Sequence, residues 1–381
     1  NTQFCMSSPK ARKKAAEAIA DYAKNHSNLG YLHVWLGDGY NNHCECEECS
    51  KLSVSDWYMT FLNDIDALFT EKKLDTRIVF CSYPETTWAP TVHKLNNPDR
   101  FALMLGPISR SYTHTLTDNE VILPPFKRNN ITMPPELDEY MAHIKEWKRA
   151  YSGAYLCYEY HFWRHQALDP GGIYIAKRVY EDIRALKYMN LNGFVEDGSQ
   201  RCFFPNGFAI YVFAEALMNR EIDFDTIKED YFSHVYGEDW KEALNLLERI
   251  TDAFDYKFTA GEASANKAIS SYYDPARKQR LESIKELAAE ERALVAKHMA
   301  MPTRVQTVSW RLLGCHATYI EFFADLLIAK CLGHDVEAKE AYLKFEKEFG
   351  KFELEIERYY DQQNNFYALN GLVKDTKSII I

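Results

Sequence analysis

The sequence carries a run of three cysteines whose spacing suits a metal ion. Cys44, Cys46 and Cys49 form the pattern C-x-C-x-x-C within the heptapeptide HCECEEC. Thiolates at this spacing can bind one zinc ion, and Cys5 or, alternatively, His43 would complete the four ligands of a structural site. Such a site is closed, so the zinc would hold the loop together and take no part in catalysis. The alternatives are a disulfide, Cys44–Cys49 or Cys46–Cys49, and free thiols.

A second group of reactive side chains consists of carboxylic acids that end or follow apolar runs. Asp38, Glu159 and Glu196 occupy such positions. In glycoside hydrolases one carboxylic acid protonates the leaving oxygen and a second acts as base or nucleophile. Glu159 lies inside an apolar run, and burial favours the protonated form that a general acid needs. We predict Glu159 as the general acid and Asp38 or Glu196 as the second carboxylate.

Residues that could hold a sugar accompany these acids, because aromatic rings stack on sugars and polar side chains bond to hydroxyl groups. Each also has a simpler role, such as a turn, a cap or an internal ion pair, for example between Glu159 and Arg164 or Arg178. The predicted substrate-binding residues are Arg110, His114, Tyr83, Trp88, Tyr158, Trp163 and Asp197.

These side chains need a scaffold that brings distant loops together. Near-continuous apolar runs alternate with amphipathic helices, which indicates a parallel sheet covered on both faces. In such a sheet the loops after the strands converge at one edge, where the predicted site residues would meet. The predicted strands are Gln3–Met6, Tyr31–Gly37, Arg77–Tyr83, Phe101–Ile108, Ala154–Phe162 and Asn192–Glu196.

The predicted fold class is α/β, a (β/α)8 TIM-type barrel followed by an α-helical bundle. About six β–α units are visible, so the first two strands of a barrel would lie upstream of Asn1. A doubly wound sheet also fits the alternation, but no glycine-rich phosphate loop follows a strand. From about Asp239 heptad-like helices replace the strands. We predict a barrel portion with the site at 1–238 and a helical domain at 239–381.

Composition excludes some partners. The 381 residues are 46% hydrophobic and 26% charged, as in ordinary soluble globular proteins. A net charge of −10 argues against a nucleic-acid partner. No stretch approaches the roughly 20 apolar residues of a membrane span. The nine cysteines are an odd number, and several lie in apolar runs, so they do not form a disulfide scaffold.

Several segments resemble a domain family of unknown function that is described as related to alpha-glucuronidases and lies near the beta-hexosaminidase-like barrel glycoside hydrolases. The resemblance covers roughly residues 1–260. The cysteine run and the R-x-Y-x-H element are its most specific parts. The matching segments are WLGDGYNNHCECEEC, SDWYMTFLNDI, RIVFCSYPETTWAP, PISRSYTHTL, YEY, GFVE and DYFSHVYG.

This resemblance implies a barrel whose opening units are absent from this chain or reside in another, and a role in processing polysaccharides. Uronic-acid-containing glycans are among the implied substrates, with Arg110 as a suitable partner for the sugar carboxylate. It also implies an extracytoplasmic location, periplasmic, cell-surface or secreted, in a glycan-degrading bacterium. The sequence departs from the family by an insertion at about Val121–Pro135.

Taken together, the sequence predicts a glycoside hydrolase-like protein acting on an oligosaccharide or polysaccharide. Catalysis would need no cofactor, and the cysteine run would hold a structural zinc. Because a fold does not fix a function, a non-catalytic glycan-binding protein on the same scaffold is the main alternative. A metalloenzyme using the cysteine run, and an interaction module whose helical tail recruits a partner, are the others.

Overall fold

The computed structural model describes residues 3–116, 119–134, 136–198 and 201–376. Contacts divide the chain into two compact units. The first unit comprises Asn1–Glu159 and Ala185–Val195, and the second comprises Tyr160–Arg184 and Glu196–Ile381. Residues 160–184 and 196–238 therefore belong to the same compact unit as the C-terminal helices, whereas the sequence predicts a division after residue 238.

The strands form one sheet in the order β1-β2-β3-β4-β5, which is also their order in the chain. The pairs β1–β2, β2–β3 and β3–β4 are parallel. A doubly wound sheet would reverse its strand order at a switch point, and these strands do not. The strands are β1 (Tyr31–His33), β2 (Arg77–Ser82), β3 (Phe101–Leu105), β4 (Ala154–Phe162) and β5 (Phe194–Gly198).

Helices separate the strands and make up most of the chain after β5. The α/β class is confirmed, and the described residues form a parallel sheet with many helices and no closed eight-stranded barrel. The helices are α1 (Pro9–Asn25), α2 (Val54–Glu71), α3 (Leu137–Ala150), α4 (Ile173–Met189), α5 (Phe208–Met218), α6 (Phe224–Tyr236), α7 (Trp240–Phe254), α8 (Tyr256–Thr259), α9 (Lys278–Glu282), α10 (Ile284–Lys297), α11 (Arg304–Leu332), α12 (Asp335–Phe349), α13 (Glu353–Ile356) and α14 (Gln362–Lys374).

The predicted strand Gln3–Met6 is not formed. Gln3 instead bonds to the loop after β1, its backbone N–H donating to the Asn42 carbonyl at 3.2 Å and its side-chain amide donating to the Gly37 carbonyl at 2.8 Å. A short apolar run gives no indication of whether its backbone pairs with a strand or with a loop. The sheet therefore has five strands where the sequence predicts about six.

Alternate residues along the strands point to two different faces of the sheet. One face, which we call the helix face, packs against α1, α2 and α3 through a large cluster that includes Phe80, Leu103 and Cys157. The opposite face, which we call the inner face, carries a small cluster of Val79, Ala102 and Met104, with Ala154, Leu156 and Tyr158 packed against it. Burying each large side chain of the helix face contributes about 1.5–3 kcal/mol, so this face holds the first unit together.

The longest helix, α11, is the centre of the helices in the second unit. Thr303 caps its start by accepting the backbone N–H of Gln306, and Gly333 ends it in the left-handed conformation with a φ of 76°. By length and composition alone α11 could cross a membrane, but 67% of its apolar stretch is buried within the protein. Such burial is what the core helix of a globular protein shows.

Candidate functional site

Asp38 and Tyr83 meet at the carboxyl ends of two neighbouring strands. Asp38 is an exposed residue in the loop after β1, and Tyr83 directly follows β2. Because β1 and β2 are parallel neighbours, with Leu32 opposite Ile78, their following residues lie together. The Tyr83 hydroxyl donates to Asp38 Oδ1 at 3.1 Å. Burial is the main reason why the pKa of Tyr83 is raised, and the charge of Asp38 adds to the effect. This hydroxyl therefore keeps its proton at neutral pH.

Two residues of the inner face that the sequence analysis missed lie next to a predicted one. The ring of Trp35 contacts the predicted Tyr158 edge-on at 5.7 Å, and the ring of His33 lies 5.3 Å from Trp35. Trp35 is 43% exposed. Partial burial lowers the pKa of His33. The signal for this pair was the alternation in YLHVWLG, where Leu32, Val34 and Leu36 pack on the helix face and the residues between them do not.

Glu159, the predicted general acid, lies on the helix face and is enclosed. Its carboxylate is 3.2 Å from Arg110 Nε, accepts the Tyr112 hydroxyl at 2.7 Å and accepts the Cys157 thiol at 3.3 Å. The side chains of Glu159 and Arg110 are both 0% exposed. Glu159 therefore does form an internal ion pair, which is the simpler role named above. Its partner is Arg110 and not Arg164 or Arg178. In this position the predicted roles of Glu159 in acid catalysis and Arg110 in sugar binding find no support.

Glu196 is also held by a contact with a histidine, within the second unit. His161 Nδ1 is 2.7 Å from Glu196 Oε1, and His161 Nε2 is 3.0 Å from Asp182 Oδ2. A histidine between two carboxylates fixes β5 and α4 to the end of β4, which is a structural role. Asp197 follows Glu196 in β5, so alternation turns its side chain to the opposite face of that strand.

The other predicted sugar-binding residues lie in different surroundings. His114 is exposed. Trp163 belongs to the second unit, where the Arg164 guanidinium stacks over its ring at 3.9 Å. Trp88 donates to the Pro124 carbonyl at 2.8 Å and contacts His143 edge-on at 4.9 Å.

Trp88 and His143 line a cleft of about 1280 Å³ in the first unit, and neither Asp38 nor Tyr83 is among its lining residues. His143 is 2% exposed, and burial lowers its pKa to about 4. The imidazole is therefore neutral at neutral pH. This neutral form suits its packing against the indole ring, which makes His143 part of the wall of the cleft.

The four predicted cysteine ligands lie together. The Sγ atoms of Cys5, Cys44, Cys46 and Cys49 are all within 4.8 Å of one another. The Ser7 hydroxyl lies 3.2–3.4 Å from three of these sulfur atoms. These contacts help to hold three of the four sulfur atoms in place.

The alternative ligand, His43, is occupied elsewhere. His43 Nε2 lies 3.3 Å from Glu85 Oε2, and both side chains are buried. The Glu85 carboxylate also accepts the backbone N–H of Asn41. This pair fixes the loop between Asp38 and the cysteines to the turn after β2, so a structural reason explains why His43 is not a member of the cysteine cluster.

Comparisons with known proteins give a family and two distant structural likenesses. No curated protein matches the sequence. One similar solved structure is a GH138 enzyme targeting pectin rhamnogalacturonan II, with a TM-score of 0.47 and 11% identity over 97% of this chain and 58% of that one. Another is a mutant of the O-GlcNAc hydrolase of Thermobaculum terrenum, with a TM-score of 0.42 and 10% identity over 97% of this chain and 76% of that one.

The chain thus spans 58% of the length of the first of these structures. With TM-scores below 0.5, neither likeness defines the chemistry of this chain. The family comparison is different, because it covers most of the sequence, including the cysteine run and the strands of the sheet. The family model described as Domain of unknown function (DUF4838) matches residues 1–245, so the resemblance to a family of unknown function is confirmed and the chain belongs to that family.

Proposed function

We propose that this chain is a glycan-acting protein of glycoside hydrolase type, and that the inner face of the first unit is its saccharide site. The observation that carries the proposal is Trp35, which is 43% exposed and braced edge-on by Tyr158. An exposed, fixed indole offers the flat apolar surface on which a sugar ring stacks. Asp38 lies three residues after Trp35 in the chain, and the pair that it forms with Tyr83 offers hydrogen bonds to sugar hydroxyls.

Within this site Asp38 is the carboxylate for which we propose a catalytic role. It accepts a hydrogen bond from Tyr83, and an accepting carboxylate is the form required of a base or nucleophile. Hydrolysis needs a second carboxyl group as the acid.

A non-catalytic glycan-binding protein is the second candidate, and one observation favours it. Glu159 and Glu196, two of the three predicted catalytic acids, are held by Arg110 and by a histidine, respectively. Among the described strand residues of the first unit, those on the inner face carry no carboxyl group. Binding through Trp35 and Tyr158 would need none.

The experiment compares binding and turnover on a panel of neutral and uronic-acid-containing oligosaccharides. Trp35→Ala should weaken binding at least tenfold, because losing one aromatic–sugar contact of about 1.4 kcal/mol changes Kd by that factor. The matched control is Tyr22→Ala, which removes another exposed aromatic ring of the first unit, 49% exposed on α1. Equal affinity of the Trp35→Ala variant and the unchanged protein would exclude the inner face as the saccharide site.

One further variant separates the two candidates. In a hydrolase, Asp38→Asn should abolish turnover while saccharide binding persists. In a binding protein the unchanged chain should bind a saccharide and release no product from it. Calorimetry for binding and reducing-end release for turnover measure the two properties on the same samples.

Substrate class and location are proposed from the family resemblance. Uronic-acid-containing glycans are our proposed substrates, although their predicted partner Arg110 is enclosed with Glu159. We also propose an extracytoplasmic location. Preference within the saccharide panel tests the first, and fractionation of the native cells tests the second.

A further inference from the structure

We propose that Cys5, Cys44, Cys46 and Cys49 bind one structural zinc ion as a closed tetrahedral site. This inference is independent of the proposed function. The four cysteines come from two places in the chain, the segment before α1 and the loop between β1 and α2. A metal there would join those two segments covalently to one centre.

Two of the sulfur–sulfur distances match those of a zinc–thiolate site. With Zn–S bonds of about 2.3 Å, the edge of a tetrahedron of sulfur atoms is about 3.8 Å long. Cys5 Sγ lies 3.8 Å from Cys46 Sγ and 3.7 Å from Cys49 Sγ. A disulfide would need about 2.05 Å, and all four cysteines are free thiols in the structure.

The backbone around the cluster is held in place by groups that are not ligands. The Arg128 guanidinium donates to the carbonyls of Cys44, Cys49 and Leu52 at 3.3, 2.8 and 2.7 Å. The Trp57 indole donates to the Cys49 carbonyl at 3.1 Å. These bonds fix the positions of two of the cysteines before any ion arrives, and the Arg128 cation offsets part of the charge that four thiolates would bring.

A backbone hydrogen bond also points at one sulfur atom. The N–H of Cys49 lies 3.5 Å from Cys46 Sγ, and outer bonds of this kind orient the ligands of a metal site. On the other side of the cluster, Arg12 donates to the Met6 carbonyl at 2.6 Å and to Asp64 at 2.7 Å, which fixes the segment that carries Cys5. The sulfur atoms are therefore positioned from both segments.

Binding is an exchange of protons for metal. As each Zn–S bond forms, the thiol releases its proton to solvent, so up to four protons leave for one Zn²⁺. With four protein ligands no coordination position remains for water or substrate. The ion therefore stabilises the loop that carries Asp38 and takes no part in a reaction.

The test measures metal in the full chain purified without chelator. Elemental analysis should find about one zinc per chain, and Cys5→Ser and Cys46→Ser should each lose most of it. The matched control is Cys331→Ser, which replaces a buried thiol outside the cluster while its hydroxyl can still donate to the Ile328 carbonyl, and this variant should keep its zinc.

A second measurement needs no variant, in case the substitutions prevent folding. The unchanged chain, stripped of metal and titrated with Co²⁺, should show the intense visible bands of tetrahedral cobalt–thiolate coordination at one equivalent. Absence of metal together with two disulfides among these four residues by mass spectrometry would overturn the proposal. So would zinc that survives in the Cys5→Ser variant, or iron in place of zinc.

Discussion

Replacing Glu159 by glutamine should destabilise the first unit without acting specifically on turnover. Glutamine keeps an oxygen for the Tyr112 hydroxyl but removes the charge that faces Arg110 Nε at 3.2 Å. Both side chains are 0% exposed, so water cannot compensate. Removing one partner of a buried ion pair costs about 3–5 kcal/mol. With an m-value of about 2–3 kcal/mol per M, the urea midpoint should fall by about 1–2.5 M.

The control for this prediction replaces both partners. In Arg110→Met with Glu159→Met, two apolar side chains of similar size fill the same space, so the loss should be much smaller than in Glu159→Gln alone. Circular dichroism in urea measures both variants, and saccharide turnover is measured on the same samples below the transition. An unchanged midpoint with turnover abolished would refute this reasoning and restore Glu159 as the general acid.

Three further predictions concern stability. Burial lowers the pKa of His143 to about 4, so the unfolded chain binds this proton more tightly and stability is lost as pH falls from about 6.5 to 4. His143→Phe should remove on the order of 3 kcal/mol of that pH dependence, seen in urea midpoints across this range. Burial raises the pKa of Asp169 to about 6, so its contribution has the opposite sign and is lost as pH rises from about 4 to 6, and Asp169→Asn should flatten that slope. Asp56 accepts the backbone N–H groups of Thr91, Val92 and His93 at 2.7–3.0 Å, so Asp56→Ala should cost about 3 kcal/mol in urea unfolding and Asp56→Asn, which keeps one acceptor oxygen, should cost less.

The sequence predicts the scaffold well where local pattern and long-range structure agree. The runs at β2, β3 and β4 are apolar throughout because the two faces of these strands are covered, and such runs read as parallel strands. Asp38 and Tyr83 could be predicted as neighbours because parallel strands that pair side by side end at the same edge. Cys5 lies with the cysteine run although the strand predicted for Gln3–Met6 is not formed, because Gln3 bonds to the loop after β1.

Which face of the sheet a side chain lies on is harder to predict from the same pattern. In AYLCYEYHF both sets of alternate residues are largely apolar or aromatic, so the sequence does not reveal which set packs against the helices. Glu159 shares the helix face with Tyr155 and Cys157, whereas Tyr158 points the other way. The Arg110 partner of Glu159 lies 49 residues earlier in the chain, and no local signal links the two.

Arg128 helps to attach the loop at residues 119–134 to the cysteine segment of the first unit. That loop contains no helix or strand among its described residues, so few backbone hydrogen bonds of its own resist fraying. Hydrogen bonds to the cysteine segment and its neighbours hold it instead, from the Arg128 guanidinium and from Asn129 and Ile131. Agents that remove the metal or oxidise the thiols should therefore also loosen this loop. Trypsin should then cleave after the exposed Lys127, a bond that it should not cleave in the untreated protein.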